Sequence, residues 1–293
     1  MHFFTQDNNE PEYDEKPDNE PKHKKEPVDM HILDEYVDTF PTHQNVLNIF
    51  KDEWLSLLPP AASELIAGKI PLFQDPKIAW AVQQLGGVKG CKVLELGPLE
   101  GGHTYILENM GAASILSIEA NTRAYLKCLI TKEILGLKQA RFMLGDFVTY
   151  LKETDETFDI CIASGVLYHM QNPAELIDLI SQRSSKVMIW SHYYDQSLIE
   201  SNPYLKEGKF SGTVNKDYQS RQYKLYRQNY QEALDSAKFA GGHETFSLWM
   251  TRTDILTCLE DFGFQDIVIE FEEPNHPNGP CFCLVGTKKP MLG

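Results

Sequence analysis

The sequence predicts an α/β fold in which helices cover both faces of a mostly parallel sheet. Two observations predict it: short apolar segments alternate with helical ones after Gly90, and a glycine turn follows the first apolar segment. Alternation of this kind is typical of parallel strands joined by helical crossovers. The predicted strands are 92–96, 114–119, 141–144, 158–163 and 186–191, and the predicted helices are 101–110, 122–135 and 173–181.

The segment before this alternation is predicted to contain a polar tail and a helical cap. Residues 1–28 are rich in Asn, Pro and charged residues, a composition that cannot offset chain entropy, so we expect disorder. In the predicted cap, residues 29–88, apolar side chains recur at helical spacing over 45–58. A second helix is expected after Asp75, a good N-cap residue that is followed by proline.

The last part of the chain completes the predicted sheet domain, which consists of residues 89–192 and 250–293. Residues 251–254 match a capping box and predict another helix. An Asn-Gly turn then separates two apolar segments, which favours an antiparallel pair of strands. These two predicted strands are 266–271 and 281–286.

Residues 193–249 interrupt the alternation and are predicted to form a substrate lid. They leave the carboxyl end of the fifth strand, the side on which open α/β sheets bind ligands. Tyrosine is frequent here, and between residues 203 and 229 six Lys and Arg residues outweigh two acids. The candidate substrate contacts are Tyr193, Tyr194, Arg221 and, just after the lid, Arg252.

Charge and cysteine content limit the classes of partner. The formal net charge of −15 disfavours nucleic acids and anionic membrane surfaces as partners bound through bulk charge. No apolar run approaches the roughly 18 residues of a membrane span, and no signal peptide is visible. The six cysteines form no C-x-x-C pair, so we expect free thiols and a cytoplasmic location. No metal site is predicted; Cys281 and Cys283, on one strand face, are the alternative.

A first ligand motif follows the strand 92–96. Glu95, Gly97 and Gly101 form a Glu-x-Gly-x-x-x-Gly pattern, in which the glycines let a ligand approach the backbone and the helix start offers N–H groups. A dinucleotide would place its phosphates beside Glu95 and Glu100. An ammonium or sulfonium group would instead be attracted to both acids, so the motif favours a cationic ligand.

Two further motifs end the second and third strands. Glu119 can accept hydrogen bonds from both hydroxyls of a ribose, although an exposed loop acid is the alternative. Asp146 can accept a hydrogen bond from an adenine amine, with Phe147 lying against the ring. An aspartate that only caps the next turn explains Asp146 equally well.

The fourth and fifth strands end in candidate catalytic residues. Ser164 brings the backbone near the amino acid end of the ligand, and Tyr168 and His169 follow in the same turn. A histidine within hydrogen-bond reach of a substrate hydroxyl can act as a general base, because its pKa lies near neutrality. Packing in the pocket wall is the alternative for His169. His192 and Asp195 form a second candidate for a base or a metal site.

Together these ligand motifs, in this order, resemble the class I S-adenosylmethionine-dependent methyltransferases over about residues 89–287. The resemblance implies a Rossmann-like, seven-stranded sheet in which only the last strand is antiparallel. It also implies that Glu95, Gly97 and Gly101 hold the methionine end of the cofactor, with Ser164 nearby. The remaining cofactor contacts that it implies are Glu119 for the ribose and Asp146 with Phe147 for the adenine.

The chain departs from the family pattern in the first turn. Leu99, preceded by proline, occupies a position where the family often has glycine. The five residues from Gly165 to His169 are also similar to a turn in the wobble-uridine tRNA carboxymethyltransferase group. That match is short, so it does not predict that this protein acts on the substrate of that group.

The expected function is transfer of a methyl group from S-adenosylmethionine to an O or N nucleophile of a small molecule that carries an anionic group. The basic lid within an acidic chain motivates the anionic acceptor. An RNA-modifying transferase is the alternative, since aromatic and basic side chains can hold a tRNA loop. A regulatory protein that binds the cofactor without catalysis is the third hypothesis. No motif in the sequence identifies the methyl acceptor or the oligomeric state.

Overall fold

The computed structural model describes residues 36–205 and 207–288, and the predicted tail 1–28 lies outside this part of the chain. The described residues from 41 onward form one compact unit, and the predicted bounds of the cap, the sheet domain and the lid stay predictions. Within 36–205 and 207–288, no helix is long and apolar enough to cross a membrane.

The central sheet has seven strands, numbered in chain order with those of the lid: β1 (Lys92–Leu96), β2 (Ser114–Glu119), β3 (Ala140–Leu144), β4 (Phe158–Ser164), β5 (Ser184–His192), β9 (Phe264–Glu273) and β10 (Cys281–Lys288). Their order in the sheet is β3-β2-β1-β4-β5-β10-β9. The first five strands pair in parallel, and β10 pairs antiparallel with both β5 and β9. The prediction of a mostly parallel sheet with an antiparallel last strand is therefore confirmed. The apolar side chains of β1 and β4 are buried because helices cover both faces.

Helices alternate with these strands largely as predicted. They are α1 (His43–Asn48), α2 (Pro76–Gln84), α3 (Gly102–Asn109), α4 (Thr122–Leu135), α5 (Phe147–Glu153), α6 (Pro173–Arg183), α7 (Gln196–Ser201) and α8 (Arg252–Asp261). The predicted caps are present: the Asp75 side chain accepts from the Lys77 N–H, and Thr251 accepts from the Asp254 N–H. Each cap satisfies an N–H group that the helix itself leaves free.

The prediction of one helix over 45–58 is wrong, because α1 ends at Asn48. The backbone turns at Asp52, whose φ of +64° is incompatible with a right-handed helix. The Trp54 indole N–H then donates to the Leu47 carbonyl at 2.9 Å, which folds the chain back on α1. Trp54 and Leu58 reach the core through this turn, although their spacing resembles that of a helix.

The predicted lid contains a small antiparallel sheet that the sequence analysis missed. Its strands are β6 (Phe210–Tyr218), β7 (Arg221–Asn229) and β8 (Phe246–Trp249), in that order. The alternate side chains Tyr223 and Leu225 of β7 are buried in the main core. The Leu248 N–H donates to the Met170 carbonyl at 3.1 Å. This sheet therefore packs against the turn that follows β4.

Candidate functional site

A cavity of about 950 Å³ opens at the carboxyl ends of β1 to β4. This edge of the sheet collects the residues that follow each strand, because parallel strands all end on the same side. Five of the seven predicted cofactor contacts line the cavity, namely Gly97, Glu119, Asp146, Phe147 and Ser164. The single cavity thus joins motifs that are up to 67 residues apart in the sequence, from Gly97 to Ser164.

The turn between β1 and α3 contains several residues with positive φ. Gly97 has φ of +65° and Gly101 has φ of +78°. A Cβ at Gly97 would lie 2.7 Å from a Val166 methyl carbon, so a side chain there would clash with the cavity wall. Leu99 has φ of +56°, which explains why a glycine would suit this position better. Gly101 caps α3 and does not line the cavity.

Glu119 lies at the wall of the cavity, where two backbone groups fix its carboxylate. Its oxygens accept from the Leu99 N–H at 3.0 Å and from the Asn121 N–H at 2.8 Å. Burial raises the pKa of Glu119, and the backbone N–H bonds oppose this rise. The carboxylate is therefore held at the junction of β1 and β2.

Glu95 lies behind the turn and is not part of the cavity lining. Its carboxyl accepts hydrogen bonds from Thr104 and, at 2.7 Å, from Ser117. Burial raises the pKa of Glu95, and its second oxygen has no hydrogen-bond partner among the described residues. The structure therefore places Glu95 as support for the turn, which differs from the predicted direct attraction to a cationic ligand.

Glu100 connects the turn to the N-terminal segment. Its carboxylate accepts from the backbone N–H groups of Leu55 and Ser56, and the buried Lys127 ammonium lies 3.2 Å away. Glu100 also lines the cavity. Its negative charge is thus largely compensated before any ligand binds.

Asp146 caps α5, a helix that the sequence analysis missed. Its carboxylate accepts from the Val148 N–H at 2.9 Å, from the Thr149 N–H at 3.3 Å and from the Thr149 hydroxyl at 2.8 Å. A carboxylate offers about four acceptor positions, so one remains for a ligand amine. The alternative that Asp146 is a cap is correct, and Asp146 nevertheless lines the cavity together with Phe147.

His169 lines the cavity and is oriented by the lid. The Tyr230 hydroxyl donates to the Gly241 carbonyl at 2.9 Å and lies 2.8 Å from His169 Nδ1. Because the Tyr230 proton is used on Gly241, Nδ1 is the donor to the Tyr230 oxygen and Nε2 carries the free lone pair. Burial lowers the pKa of His169 to about 3, so the ring is neutral at neutral pH.

Tyr168 belongs to an aromatic wall of the cavity. Its ring makes edge contacts with Trp190 at 5.9 Å and with His192 at 4.7 Å between centroids. Burial raises the pKa of the Tyr168 phenol, which is therefore uncharged at neutral pH. These contacts assign Tyr168 to the shape of the cavity and give it no ionised group for chemistry.

The pairing of His192 with Asp195 predicted from the sequence is wrong. Asp195 caps α7, where its carboxylate accepts from Ser197 and from the Leu198 N–H. His192 instead lies behind the aromatic wall with Cys281 and His276, and it does not line the cavity. Cys283 is not part of this group, and all six cysteines are free.

The four predicted substrate contacts lie outside the cavity. Arg221 pairs with Asp261 and Arg252 pairs with Glu272, both on the surface. Tyr193 and Tyr194 follow β5 immediately, but Tyr193 is buried in the core and Tyr194 stacks on a tyrosine of β7. Charge or aromatic character in the lid was therefore an insufficient signal for contact with a ligand.

The cavity residues that come from distant segments were not predicted from the sequence. The basic ones are Lys77 of α2, Lys216 of β6 and Lys238 of the loop before β8. Tyr230 orients His169 from 61 residues away. The alternation of large and polar side chains along β7 was the available signal for a strand that would bring this part of the lid inward.

Comparison with known proteins identifies the fold and the family. The N-terminal domain of EvdMO1, solved in the presence of SAH and D-fucose, is 19% identical, covers 85% of this chain and all of that chain, and has a TM-score of 0.64. An S-adenosylmethionine-dependent methyltransferase from Mesorhizobium loti is 16% identical, covers 74% of this chain and all of that chain, and has a TM-score of 0.50.

Among curated proteins, a tRNA U34 carboxymethyltransferase from Psychrobacter arcticus is 28% identical over 99 residues. The match covers 31% of this chain, and the chain spans only 28% of the relative. The family model described as a methyltransferase domain matches residues 88–237, half of the chain, which include the turn after β1 and the acid at the end of β2. The chain therefore belongs to this methyltransferase domain family, and its cofactor is S-adenosylmethionine.

Proposed function

We propose that the protein transfers a methyl group to an oxygen or nitrogen nucleophile of a small anionic molecule. The observation that carries the proposal is the position of Lys216, which reaches from the lid to the same cavity as His169. Its ammonium donates to the Gln171 carbonyl at 3.0 Å, a partner that carries no charge. An anionic group of the acceptor would compensate the Lys216 charge.

The cavity residues fit the cofactor in a consistent order. Glu119 would hold the ribose, Asp146 and Phe147 the adenine, and Gly97 with Ser164 the methionine end. Gly97 supports this order because its missing side chain leaves the backbone open on the cavity side. The volume of about 950 Å³ lies at the upper end of the range for ligand pockets, which leaves room for an acceptor beside the cofactor.

We assign to His169 the role of orienting the nucleophile of the acceptor. S-adenosylmethionine, when bound, supplies an electrophilic methyl group on a positively charged sulfur. The His169 Nε2 lone pair would accept a hydrogen bond from the acceptor O–H or N–H and orient it toward that group. Once the acceptor oxygen carries the new methyl group, it is positively charged and its O–H is far more acidic than the free hydroxyl. Even a histidine of low pKa can therefore take this proton.

Label transfer from methyl-labelled S-adenosylmethionine tests the proposal. We expect label in the anionic fraction when the protein is incubated with a small-molecule pool separated by anion exchange. Lys216→Met should raise the KM for the labelled acceptor about tenfold, the effect of losing roughly 1.4 kcal/mol of binding energy. The affinity for the demethylated cofactor should not change. Lys224→Met is the matched control, because Lys224 lies on β7 of the same sheet and does not line the cavity.

A second candidate function is modification of RNA, which the match to tRNA U34 carboxymethyltransferases favours. Only 31% of this chain matches, and the net charge of −15 opposes RNA binding. Label in the tRNA fraction together with a gel shift at low salt would replace the small-molecule proposal. Binding of the cofactor with no label in either fraction would instead favour a regulatory protein.

A further inference from the structure

Three metal-ligating side chains meet behind the aromatic wall of the cavity. His192 at the end of β5 and Cys281 at the start of β10 are directly opposite in the antiparallel register, so their side chains lie on one face of the sheet. His276 comes from the loop that joins β9 and β10. One ligand atom of each residue lies within 4.8 Å of the others.

The hydrogen bond of His192 Nδ1 leaves the other ring nitrogen, Nε2, available to bind a metal ion. His192 Nδ1 lies 2.8 Å from the Gly279 carbonyl oxygen, which can only accept, so Nδ1 carries the proton. Nε2 therefore holds the lone pair. Histidine ligands of metals usually donate their other N–H to a carbonyl or carboxylate, and this bond fixes the ring in the same way.

The remaining two groups can also act as ligands. His276 Nδ1 accepts from the Asn278 N–H at 3.1 Å, so it carries a lone pair, and a metal bond would replace that hydrogen bond. Burial and the Glu273 charge raise the pKa of Cys281 to about 12, and the Lys77 charge opposes this rise only in part. Metal binding must therefore displace the thiol proton.

We propose that His192, His276 and Cys281 bind a zinc ion, with a fourth coordination position for water. Two imidazoles and one thiolate form a donor set that zinc prefers, and a tetrahedral site with three protein ligands keeps one position open. The ring of His192 contacts Tyr168 and Trp190, and both line the cavity. The ion would thus fix one wall of the cavity by joining β5, β10 and the loop between β9 and β10.

Cobalt substitution tests the site in the full-length chain, without any assay of activity. After removal of metals with a chelator, Co²⁺ should bind in a ratio of about one per chain. A thiolate–cobalt charge-transfer band in the near ultraviolet and the visible bands of tetrahedral Co²⁺ should appear, and Zn²⁺ should displace both. The absence of the charge-transfer band in the folded wild-type chain would overturn the proposal.

Three variants assign the ligands. Cys281→Ser should abolish the charge-transfer band, and His276→Gln, on a half-buried loop, should weaken Co²⁺ binding at least about tenfold. Cys283→Ser is the matched control, because it removes the other thiol of the same strand face and should retain the band. Circular dichroism confirms that each variant is folded. A band that survives Cys281→Ser, or that is lost in folded Cys283→Ser, contradicts the assignment.

Discussion

The backbone N–H of Leu99 donates a hydrogen bond to the Glu119 carboxylate at 3.0 Å, which ties the turn after β1 to the end of β2. The Asn121 N–H binds the other carboxylate oxygen at 2.8 Å. The acid is thus oriented before a ligand arrives, so little side-chain freedom is lost on binding. The bond also links the strained turn to Glu119, the residue that we propose holds the ribose.

We predict that Glu119→Ala weakens binding of the demethylated cofactor about a hundredfold and that Glu119→Gln weakens it about tenfold. These factors follow from charge-assisted hydrogen bonds, which contribute about 1.5–3 kcal/mol. Glutamine can still accept hydrogen bonds, but it lacks the negative charge. Isothermal titration calorimetry measures both. Glu153→Ala, which removes an exposed acid of α5, should bind like the wild type. Wild-type affinity in Glu119→Ala would remove Glu119 from the site.

A comparison of Gly97 with Gly136 measures how much a side chain in the turn after β1 destabilises the protein. Both have φ of +65°, but a Cβ at Gly136 meets no atom within 4 Å, whereas one at Gly97 meets Val166 at 2.7 Å. We expect Gly136→Ala to lower the free energy of unfolding by about 1 kcal/mol, the cost of the left-handed backbone alone. Gly97→Ala should cost clearly more.

Urea denaturation of Gly97→Ala, Val166→Ala and the double variant separates the two terms. Because Val166→Ala removes the methyl groups that clash, the double variant should be more stable than the sum of the single variants implies. Simple additivity would show that the turn relaxes away from Val166 instead.

At position 99 we expect the glycine variant to be more stable than the alanine variant, the reverse of the order found in helices. At φ of +56° glycine is strain-free, so we expect Leu99→Gly to unfold with a free energy about 1 kcal/mol higher than Leu99→Ala. Leu126, an exposed leucine within α4, is the matched control. There the alanine variant should be the more stable by about 1 kcal/mol, because glycine weakens helices. The same order at both positions would contradict a strained Leu99.

His169 makes the stability of the protein depend on pH below neutrality. Its pKa falls from 6.5 to about 3 on folding, so the unfolded state binds more protons between these values. The free energy of unfolding should therefore drop as pH decreases below about 6.5, by up to about 1.4 kcal/mol per pH unit. His169→Gln should reduce this slope in urea titrations between pH 5 and 7.5. An unchanged slope would assign the loss to other groups.

Tyr230 is predicted to act as a positioning residue for His169. Tyr230→Phe removes the oxygen that accepts from His169 Nδ1, so both ring tautomers become available. We expect kcat for the labelled acceptor to fall about tenfold with little change in its KM, a fraction of the 10²–10⁴-fold that a general base contributes. Binding of the demethylated cofactor should be unaffected. A change in KM alone would indicate that Tyr230 shapes the cavity instead.

The parallel strands could be predicted from the sequence because each is a short apolar segment ended by a polar or glycine residue. Strand β1 and helix α4 have the predicted boundaries, and α2 begins where its cap predicted. Glu119 could be selected as a candidate because it ends a strand of the predicted sheet. A cap at Asp146 was one of the two alternatives, but helix α5 was missed because its seven residues contain less than two turns of a helical pattern.

The remainder of the site depends on contacts between distant segments. Tyr230 reaches His169 across 61 residues, and no local pattern records that distance. Glu95 and Glu119 lie on the same face of the sheet, yet only Glu119 reaches the cavity, because Glu95 pairs with Ser117, two residues before the end of β2. His276 lies in a turn whose Asn-Gly pair predicted the hairpin and gave no sign that the histidine meets β5.

The bonds between Glu100 and the backbone of Leu55 and Ser56 bear on how the protein can be divided. A chain shortened to residues 88–237, the segment that matches the family model, would lose these N–H donors and expose the buried carboxylate with its Lys127 partner. It would also lose Leu55, Ser56 and Leu72 from the cavity wall. The segment that matches the family model is therefore shorter than the chain that builds the cavity, and a shortened protein should begin before α1.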